Sequence, residues 1–330
     1  MGINMSKAKI SIAETADWLK ARDNFLIITH RRPDGDTVGC AGALAQGLQE
    51  AGKTAYVLYN PEITPRYARF VEEYWMLDGY KPEYTITVDI ATYDLFPHNV
   101  GEYNSKISLC IDHHPSNSLY AELTCLDETV ASCGETIYEI LMALNGSISP
   151  RSAECLYAAV STDTGCFVFA NTTANTLRTA ALLIEAGASN RKLNRMLFRT
   201  KTRSRIRIEG MINSGLEFYF DGAVAIATIT REMMESAKAE EDDVDDIASM
   251  PGSVKGVLVG VTIREMTSLR DCKVSVRTSP QVNAGAISER FGGGGHPMAA
   301  GYTLEKTVAE VKKELLDVLK DFFPEAATSG

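Results

Sequence analysis

The stretch FLIITHRRPDGDTVGCAGALAQGLQE (residues 25–50) contains a strand, a polar loop and a helix in immediate succession. The short apolar run FLIITH predicts a buried strand. Residues 38–50 are rich in Ala, Gly and Leu and predict a tightly packed helix. Asp34 and Asp36 follow His30 closely, so ionisable side chains gather where the strand ends.

This alternation of strand and helix continues through the first half of the chain. A capping box at Ser11 and Glu14 opens a helix before the first strand. YVLY, YTITVD and KISLCID predict further strands, and helical patterns cover residues 133–144, 150–162 and 173–186. Strands separated by helices indicate an α/β fold with a parallel sheet that is covered on both faces.

A basic segment separates the two halves of the chain. RKLNRMLFRTKTRSRIR (residues 191–207) predicts a helix that joins two domains; its charges either face solvent or face the substrate. LEFYF, AVAIATIT, VKGVLVGVTIRE and CKVSVRTS then predict strands, an acidic run over residues 239–253 predicts a surface loop or helix, and residues 306–322 predict a final helix. We expect a parallel-sheet domain over residues 1–190, a linker helix over 191–210 and a smaller α/β domain over 211–330.

Composition narrows the class of protein. The chain has 330 residues, 45% of them hydrophobic, and a formal net charge of −10, which argues against coating long nucleic acid. A small anion can still bind where metals and a local basic patch reverse the field. Seven cysteines without a C-x-x-C pair predict reduced core thiols. We expect a cytoplasmic protein, because no membrane helix or secretory signal is evident.

Acidic and imidazole side chains recur where apolar elements end. The groups are, in chain order, His30 with Asp34 and Asp36, then Asp89, then Asp112 with His113 and His114, and finally Asp163. In open α/β sheets, ligands bind at the carboxyl ends of the strands. Two divalent ions held there could neutralise a phosphate ester and supply hydroxide near neutral pH. Mixed oxygen and imidazole donors favour manganese over calcium, with iron, cobalt or zinc as alternatives.

The histidines allow a finer interpretation. Adjacent residues at a strand end point in opposite directions, so one of His113 and His114 can ligate metal while the other meets the substrate. His98 lies in a turn-like segment, FPHNVGE, and is expected to be solvated.

A second cluster is the glycine run FGGGGHPMAAG (residues 291–301). Main-chain N–H groups of successive glycines can close around an anion, although a flexible loop is the alternative. The run matches neither the ATPase phosphate loop nor the dinucleotide-binding fingerprint. His296 follows it at once and Arg277 lies on a nearby strand, and this combination favours phosphate binding.

Taken together, these motifs resemble a known family. HRRPDGD, Asp89, the DHH of residues 112–114 and STDTG around Asp163 resemble the four motifs of the DHH phosphoesterases. SVRTS and GGGGHPMAAGY resemble the DHH-associated domain. The total length is similar to that of the oligoribonuclease (nanoRNase) and pAp phosphatase branch of this family. Here pAp stands for 3′-phosphoadenosine 5′-phosphate. Cys40, where a small Ser is common, and Pro297 are mild departures.

The resemblance implies roles for particular residues. Two manganese ions would be held by His30, Asp34, Asp36, Asp89, His113 and Asp163, with Asp89 as the bridge. Asp112 would orient the site and His114 would contact the scissile phosphate. Arg277, Gly294, Gly295 and His296 would hold another phosphate or the terminal nucleotide. The resemblance also implies a homodimer.

We therefore expect a hydrolase that attacks phosphorus in line with hydroxide. It would release 5′-mononucleotides from short single-stranded RNA and AMP from pAp, and it would leave long duplexes uncut. One alternative is a phosphodiesterase acting on cyclic dinucleotides such as c-di-AMP or on their linear products. A second is an inorganic pyrophosphatase, which the glycine-rich second domain disfavours. A third is a nucleotide sensor with a degenerate site, which metal-dependent turnover would exclude.

Overall fold

The computed structural model describes residues 7–244, 247–266 and 271–323. The chain divides into two compact units, Met1–Thr200 (unit 1) and Lys201–Gly330 (unit 2). This division lies inside the predicted linker segment. None of the helices in the described part of the chain combines the length and the hydropathy that a membrane crossing requires.

Unit 1 contains a parallel six-stranded sheet, which confirms the predicted α/β fold. Its strands are β1 (Ala8–Lys9), β2 (Phe25–Ile28), β3 (Ala55–Val57), β4 (Tyr84–Val88), β5 (Leu109–Asp112) and β6 (Leu123–Leu126), in the order β1-β6-β5-β4-β2-β3. All five neighbouring pairs are parallel, so the carboxyl ends of these strands share one edge of the sheet. The sequence pattern missed β1 and β6.

The helices of unit 1 begin at recognisable caps. They are α1 (Ile12–Lys20), α2 (Gly35–Glu50), α3 (Pro65–Ala68), α4 (Cys133–Asn145), α5 (Pro150–Asp163), α6 (Ala174–Glu185) and α7 (Asn190–Asn194). The predicted capping box at Ser11 and Glu14 is confirmed. Helix α2 starts three residues earlier than predicted, because the Asp34 side chain accepts hydrogen bonds from the amides of Asp36 and Thr37.

Helices α2 and α5 pack closely through glycines of α2. A Cβ at Gly39 would lie 2.4 Å from the carbonyl oxygen of Cys155, and a Cβ at Gly42 would lie 2.1 Å from that of Phe70. No larger residue could occupy either position without moving the backbone. The tight packing predicted for this helix is therefore confirmed, and it places the start of α2 beside the end of α5.

Unit 2 is built on a second six-stranded sheet. Its strands are β7 (Glu217–Tyr219), β8 (Val224–Ile229), β9 (Val259–Glu265), β10 (Asp271–Thr278), β11 (Gly294–His296) and β12 (Ala299–Glu305), in the order β11-β12-β10-β9-β8-β7. Only the β8–β9 pair is parallel among the described strands of this sheet. Its α-helices are α8 (Arg203–Ser214), α9 (Arg231–Ala237), α10 (Ala284–Glu289) and α11 (Val308–Leu319). Apolar side chains of α10 and α11 cover one face, and those of α8 and α9 cover part of the other.

One expectation for local structure is wrong. The basic segment is not one helix: α7 continues into a π-helical turn, Arg195–Arg199, and α8 starts separately at Arg203. The break arises because Thr202 caps α8, its side chain accepting from the amide of Arg205. The acidic run forms short 3₁₀ turns, Glu241–Asp243, Ile247–Ser249 and Pro251–Ser253, and residues 245 and 246 within it lie outside the described ranges.

All seven cysteines lie in described segments and are free of disulfides. Six are buried and Cys166 is partly buried, which confirms the interpretation as core thiols.

Candidate metal centre

The ionisable side chains predicted from the first half of the sequence converge at the carboxyl edge of the sheet in unit 1. Three groups each offer ligand atoms within 4.8 Å of one another: His30, Asp34 and Asp89; Asp36, His113 and Asp163; and Asp89, His113 and His114. Strands β2, β4 and β5 and helices α2 and α5 end or begin at this point, so rigid elements position most of the side chains.

Asp89 lies between the first two groups. Its Oδ2 is 3.7 Å from Nε2 of His30 and its Oδ1 is 3.4 Å from Nε2 of His113. The residue is 3% exposed, and Oδ1 has no hydrogen-bond partner among the residues that the structure describes. An orphaned carboxylate oxygen in a buried position is costly, and a cation would satisfy it. Asp89 also has a φ of 60°, a left-handed conformation that Asp tolerates better than most residues.

The remaining spacings suit ligands of a shared ion. Nε2 of His30 is 3.6 Å from Oδ1 of Asp34. Nε2 of His113 is 3.8 Å from Oδ2 of Asp36 and 3.7 Å from Oδ2 of Asp163. Hydrogen bonds are shorter, at about 2.7–3.2 Å. Two donor atoms that are each about 2.1 Å from one ion lie roughly 3–3.5 Å apart, close to what is observed.

Both ligand-type histidines are oriented through their other ring nitrogen. Nδ1 of His30 lies 2.7 Å from the carbonyl oxygen of Arg31. Nδ1 of His113 lies 3.4 Å from the carbonyl oxygen of Val130. If Nδ1 carries the proton in each ring, Nε2 is left as an acceptor facing the carboxylates, which is the usual arrangement of metal-bound histidines.

Asp36 is held by the amino terminus of α4. Its Oδ2 accepts from the amide of Cys133 at 2.8 Å, and its Oδ1 accepts from the amide of Gly134 at 3.1 Å and the hydroxyl of Ser132 at 2.9 Å. These three hydrogen bonds fix the position of the Asp36 carboxylate beside His113. Sequence reasoning missed Ser132: its pattern signals a helix cap, but nothing in the sequence pairs it with a residue 96 positions away.

Both carboxylate oxygens of Asp112 already accept hydrogen bonds from neighbouring residues of the protein. Its Oδ1 accepts from the amide of His113 at 2.8 Å and lies 2.8 Å from Nδ1 of His114, while Oδ2 accepts from Nδ2 of Asn117 at 2.6 Å. Although burial opposes ionisation, these hydrogen bonds and the His114 charge hold the pKa of Asp112 below its usual value. The contacts fix the His114 ring and leave its Nε2 free of Asp112.

The expectation that His113 and His114 point in opposite directions is wrong. Their ring centroids are 4.4 Å apart. The alternation of a strand does not apply, because β5 ends at Asp112 and both histidines lie beyond it. The two rings differ in their partners instead. His98 is 81% exposed at its side chain, as expected for a solvated residue.

The centre holds more carboxylates than its histidines can neutralise. Burial disfavours a charged His30, but Asp34 and Asp89 outweigh it and raise the pKa of His30 to about 9. Burial, together with the charge of Asp36, raises the pKa of Asp163 to about 8. Burial and the neighbouring carboxylates also raise the pKa of Asp89. Bound cations would relieve this repulsion.

In unit 2, the predicted substrate-binding residues share one face of the sheet. Arg277 on β10 is paired with Ala299 on β12, and Ala299 is paired with His296 on β11. Directly opposed residues project to the same face, so Arg277 and His296 flank it about 10 Å apart. Ser275, Gly301 and Gly294 are aligned in the same way, which gives this face a floor of small residues.

Gly294–His296, the end of the glycine run, form an edge strand, whereas the alternative interpretation of the run was a flexible loop. Gly294 and Gly295 pair with Gly301 and Ala300. A Cβ at Gly295, where φ is 145°, would lie 2.6 Å from the carbonyl oxygen of Ala299, so the glycine permits the two strands to approach. Around a Cβ placed at Gly294, no described heavy atom lies within 4 Å, so that position is open.

Comparisons with known proteins agree with this two-part organisation. The DHH family N-terminal domain matches residues 24–160, and the DHHA1 domain matches residues 221–325. A relative from Thermus thermophilus, bifunctional oligoribonuclease and PAP phosphatase NrnA, is 33% identical over 316 residues, which cover 91% of this chain and 93% of the relative. Its namesake from Bacillus subtilis is 26% identical over 292 residues, covering 86% and 90%. A cyclic-di-AMP phosphodiesterase, GdpP from Geobacillus thermodenitrificans, is 24% identical and only half of its length is covered.

Solved structures show the same fold. An exopolyphosphatase-related protein from Bacteroides fragilis superimposes with a TM-score of 0.85 at 22% identity, covering 96% of this chain and 97% of the other. Exonuclease RecJ bound to manganese superimposes with a TM-score of 0.52 at 13% identity, covering 100% and 99%.

Proposed function

Because this chain belongs to the DHH phosphoesterase family, we propose that it hydrolyses short oligoribonucleotides to 5′-mononucleotides and pAp to AMP. Two NrnA relatives that match over most of their length support these substrates. The observation that carries the proposal is Asp89, whose two carboxylate oxygens face the two ligand groups while one of them lacks a hydrogen bond.

The family is metal-dependent, and the residues present suit two divalent ions. We assign His30, Asp34 and Asp89 to one ion, and Asp36, His113, Asp163 and again Asp89 to the other. Manganese is our first choice, because the donors are carboxylates and imidazoles without thiolates. When bound, such ions neutralise phosphate oxygens and make water a stronger acid.

His114 is the side chain that we assign to the scissile phosphate. Asp112 holds its Nδ1 and leaves Nε2 available to a ligand. Burial lowers the pKa of His114, but Asp112 and Asp89 outweigh it, so the net shift is upward and favours the charged ring. A charged imidazole can donate a hydrogen bond to the oxygen on which negative charge accumulates.

Unit 2 contributes substrate recognition in this proposal. Arg277, Gly294, Gly295 and His296 would hold a second phosphate or the terminal nucleotide. Support comes from the strand register, which places the Arg277 and His296 side chains on one face over small residues. A guanidinium is suited to bidentate phosphate binding.

We further propose a homodimer that acts in the cytoplasm on single-stranded rather than long duplex substrates. An apolar stripe on α6 supports the dimer: Leu177 is 52% exposed and Ile184 is 41% exposed. Free, mostly buried cysteines are consistent with a reducing compartment.

The test is an assay of purified protein, stripped with EDTA and reloaded with manganese. Its substrates are pAp, a pentaribonucleotide, c-di-AMP, its linear product and pyrophosphate. We expect AMP from pAp, mononucleotides from RNA, and no turnover in EDTA. If the protein hydrolyses c-di-AMP or its linear product but neither RNA nor pAp, the cyclic-dinucleotide alternative would be favoured. The similarity to GdpP raises this alternative. Inertness towards all five compounds would favour a sensor.

A further inference from the structure

The basic residues of unit 1 that follow α6 run alongside α5. At the start of this segment, Lys192 Nζ lies 3.2 Å from Glu154 Oε1 near the beginning of α5. At its end, the positive charge of Arg199 acts on the thiol of Cys166 and counteracts the rise in its pKa that burial causes. Cys166 is three residues beyond Asp163, so the segment runs from the beginning of α5 towards its carboxyl end, which carries Asp163.

Three arginines of this segment are exposed and unpaired. In the described ranges, the guanidinium groups of Arg191, Arg195 and Arg199 form no ion pair or hydrogen bond with another residue. Lys192, by contrast, is paired with Glu154. The arginines follow one another at intervals of four residues, roughly 6 Å of helix each, so they form a row. A row of unpaired positive charge is notable in a chain of net charge −10.

A concave surface accompanies the row. A cavity of about 410 Å³ is lined by Ser189, Arg191, Lys192, Arg195, Met196 and Thr200. Arg69 from the neighbouring α3 region approaches it, with Nη1 3.3 Å from Sδ of Met196. Its buried Nε has no acceptor in the part of the chain that the structure covers. An anion in the cavity would provide hydrogen-bond acceptors and negative charge for these guanidinium groups.

We propose that Arg191, Arg195 and Arg199 form a phosphate track for a single-stranded oligonucleotide whose end occupies the metal centre. This inference rests on the proposed function. Regularly spaced guanidinium groups suit the repeating phosphates of an extended strand. Because the track leads away from the centre, it serves the distal nucleotides of RNA and makes no contact with pAp.

The test compares Arg191→Gln/Arg195→Gln with a charge-matched control, Lys81→Gln/Arg178→Gln, which removes two exposed cations elsewhere in unit 1. For a decaribonucleotide, we expect kcat/KM of the track variant to fall about tenfold, with pAp turnover unchanged. The slope of log affinity against log salt should decrease in size by about 1.4, because each single-strand phosphate contact contributes about 0.7. The control should match wild type on both substrates.

Binding separates the track from catalysis. Anisotropy of a fluorescent decaribonucleotide in EDTA measures the affinity without turnover, and should show the same tenfold weakening. If wild type and the track variant bind the decaribonucleotide with equal affinity, the proposed track is contradicted, whether or not the enzyme is active. An equal loss on pAp would also overturn it, since the arginines would then support the centre itself. Wild type that binds RNA through the track but hydrolyses neither RNA nor pAp would contradict the proposed function alone.

Discussion

The two carboxylate oxygens of Asp89 face His30 and His113, one in each ligand group of the candidate metal centre, from a backbone conformation that few residues adopt without strain. We expect Asp89→Asn to reduce pAp turnover by roughly a thousandfold at saturating manganese, and Asp89→Ala to abolish it, because both ligand groups lose a shared carboxylate. The fold should persist, since Asn also tolerates a left-handed φ. Asp78→Asn, at an exposed carboxylate outside the centre, is the control. More than about a tenth of wild-type activity in Asp89→Asn would contradict the bridging role.

The crowded carboxylates predict how metal-free protein responds to pH. The pKa of Asp163 is raised from 3.8 to about 8, and that of His30 from 6.5 to about 9. Each group stabilises the folded state fully below its unfolded pKa and loses this contribution as pH rises through its folded pKa. The melting temperature in EDTA should therefore fall between about pH 6.5 and 9.

Manganese should remove this dependence, because the cations replace the lost protons. Thermal unfolding over the same pH series, with and without the metal, checks both statements. The variant Asp163→Asn should show a shallower slope in EDTA below pH 8. A melting temperature that stays level or rises with pH in EDTA would show that the carboxylates are not crowded as described.

The clustering of the candidate ligands could be predicted from the sequence because each group of them follows the end of an apolar run, and parallel strands bring such ends to one edge of the sheet. Ser132 could not, because its bond to Asp36 joins residues 96 positions apart. The predicted orientation of His113 and His114 was wrong for a local reason: β5 ends at Asp112, before either histidine, so strand alternation does not apply to them.

Helix α2 carries Asp34 and Asp36 at its start and depends on glycines for its position. A Cβ at Gly39 would lie 2.4 Å from the carbonyl oxygen of Cys155. We expect Gly39→Ala to destabilise the protein by about 1–3 kcal/mol through overpacking and to weaken manganese binding, because the helix must shift.

The matched control is Gly210→Ala in α8, where a Cβ meets no described heavy atom within 4 Å. That change should be neutral or stabilise by up to about 1 kcal/mol. Denaturant unfolding and manganese titration measure the two effects. Wild-type stability and metal affinity in Gly39→Ala would show that α2 and α5 are not held by this contact.

Long periodic segments were predicted well, whereas the short strands β1, β6 and β11 were missed. α2, α4, α5 and α6 lie within a few residues of their predicted bounds. β1 has two residues and β11 has three, too few for a periodic pattern. The glycine run became a strand because its pairing with β12 is a tertiary contact that composition does not encode.

In the proposed function, unit 1 binds the metal ions and unit 2 recognises the substrate. We expect His296→Ala and Arg277→Ala to raise KM for nucleotides, each losing about 1.5–3 kcal/mol of charge-assisted hydrogen bonding. Turnover of bis-p-nitrophenyl phosphate should change little, because the ligand residues are in unit 1. Steady-state kinetics on both substrates make the comparison. Equal losses on the two would place these residues in the chemistry rather than in recognition.

The two-part architecture was predictable from the restart of the strand pattern after the basic segment. Its exact division was not, because the helix there breaks at Thr202, where a side-chain cap starts α8.

If two ions share Asp89, anomalous diffraction at the manganese edge from manganese-soaked crystals will locate both of them. We expect two peaks. One would contact His30, Asp34 and Asp89, and the other would contact Asp36, His113, Asp163 and Asp89. A single peak, or peaks that do not contact Asp89, would contradict it.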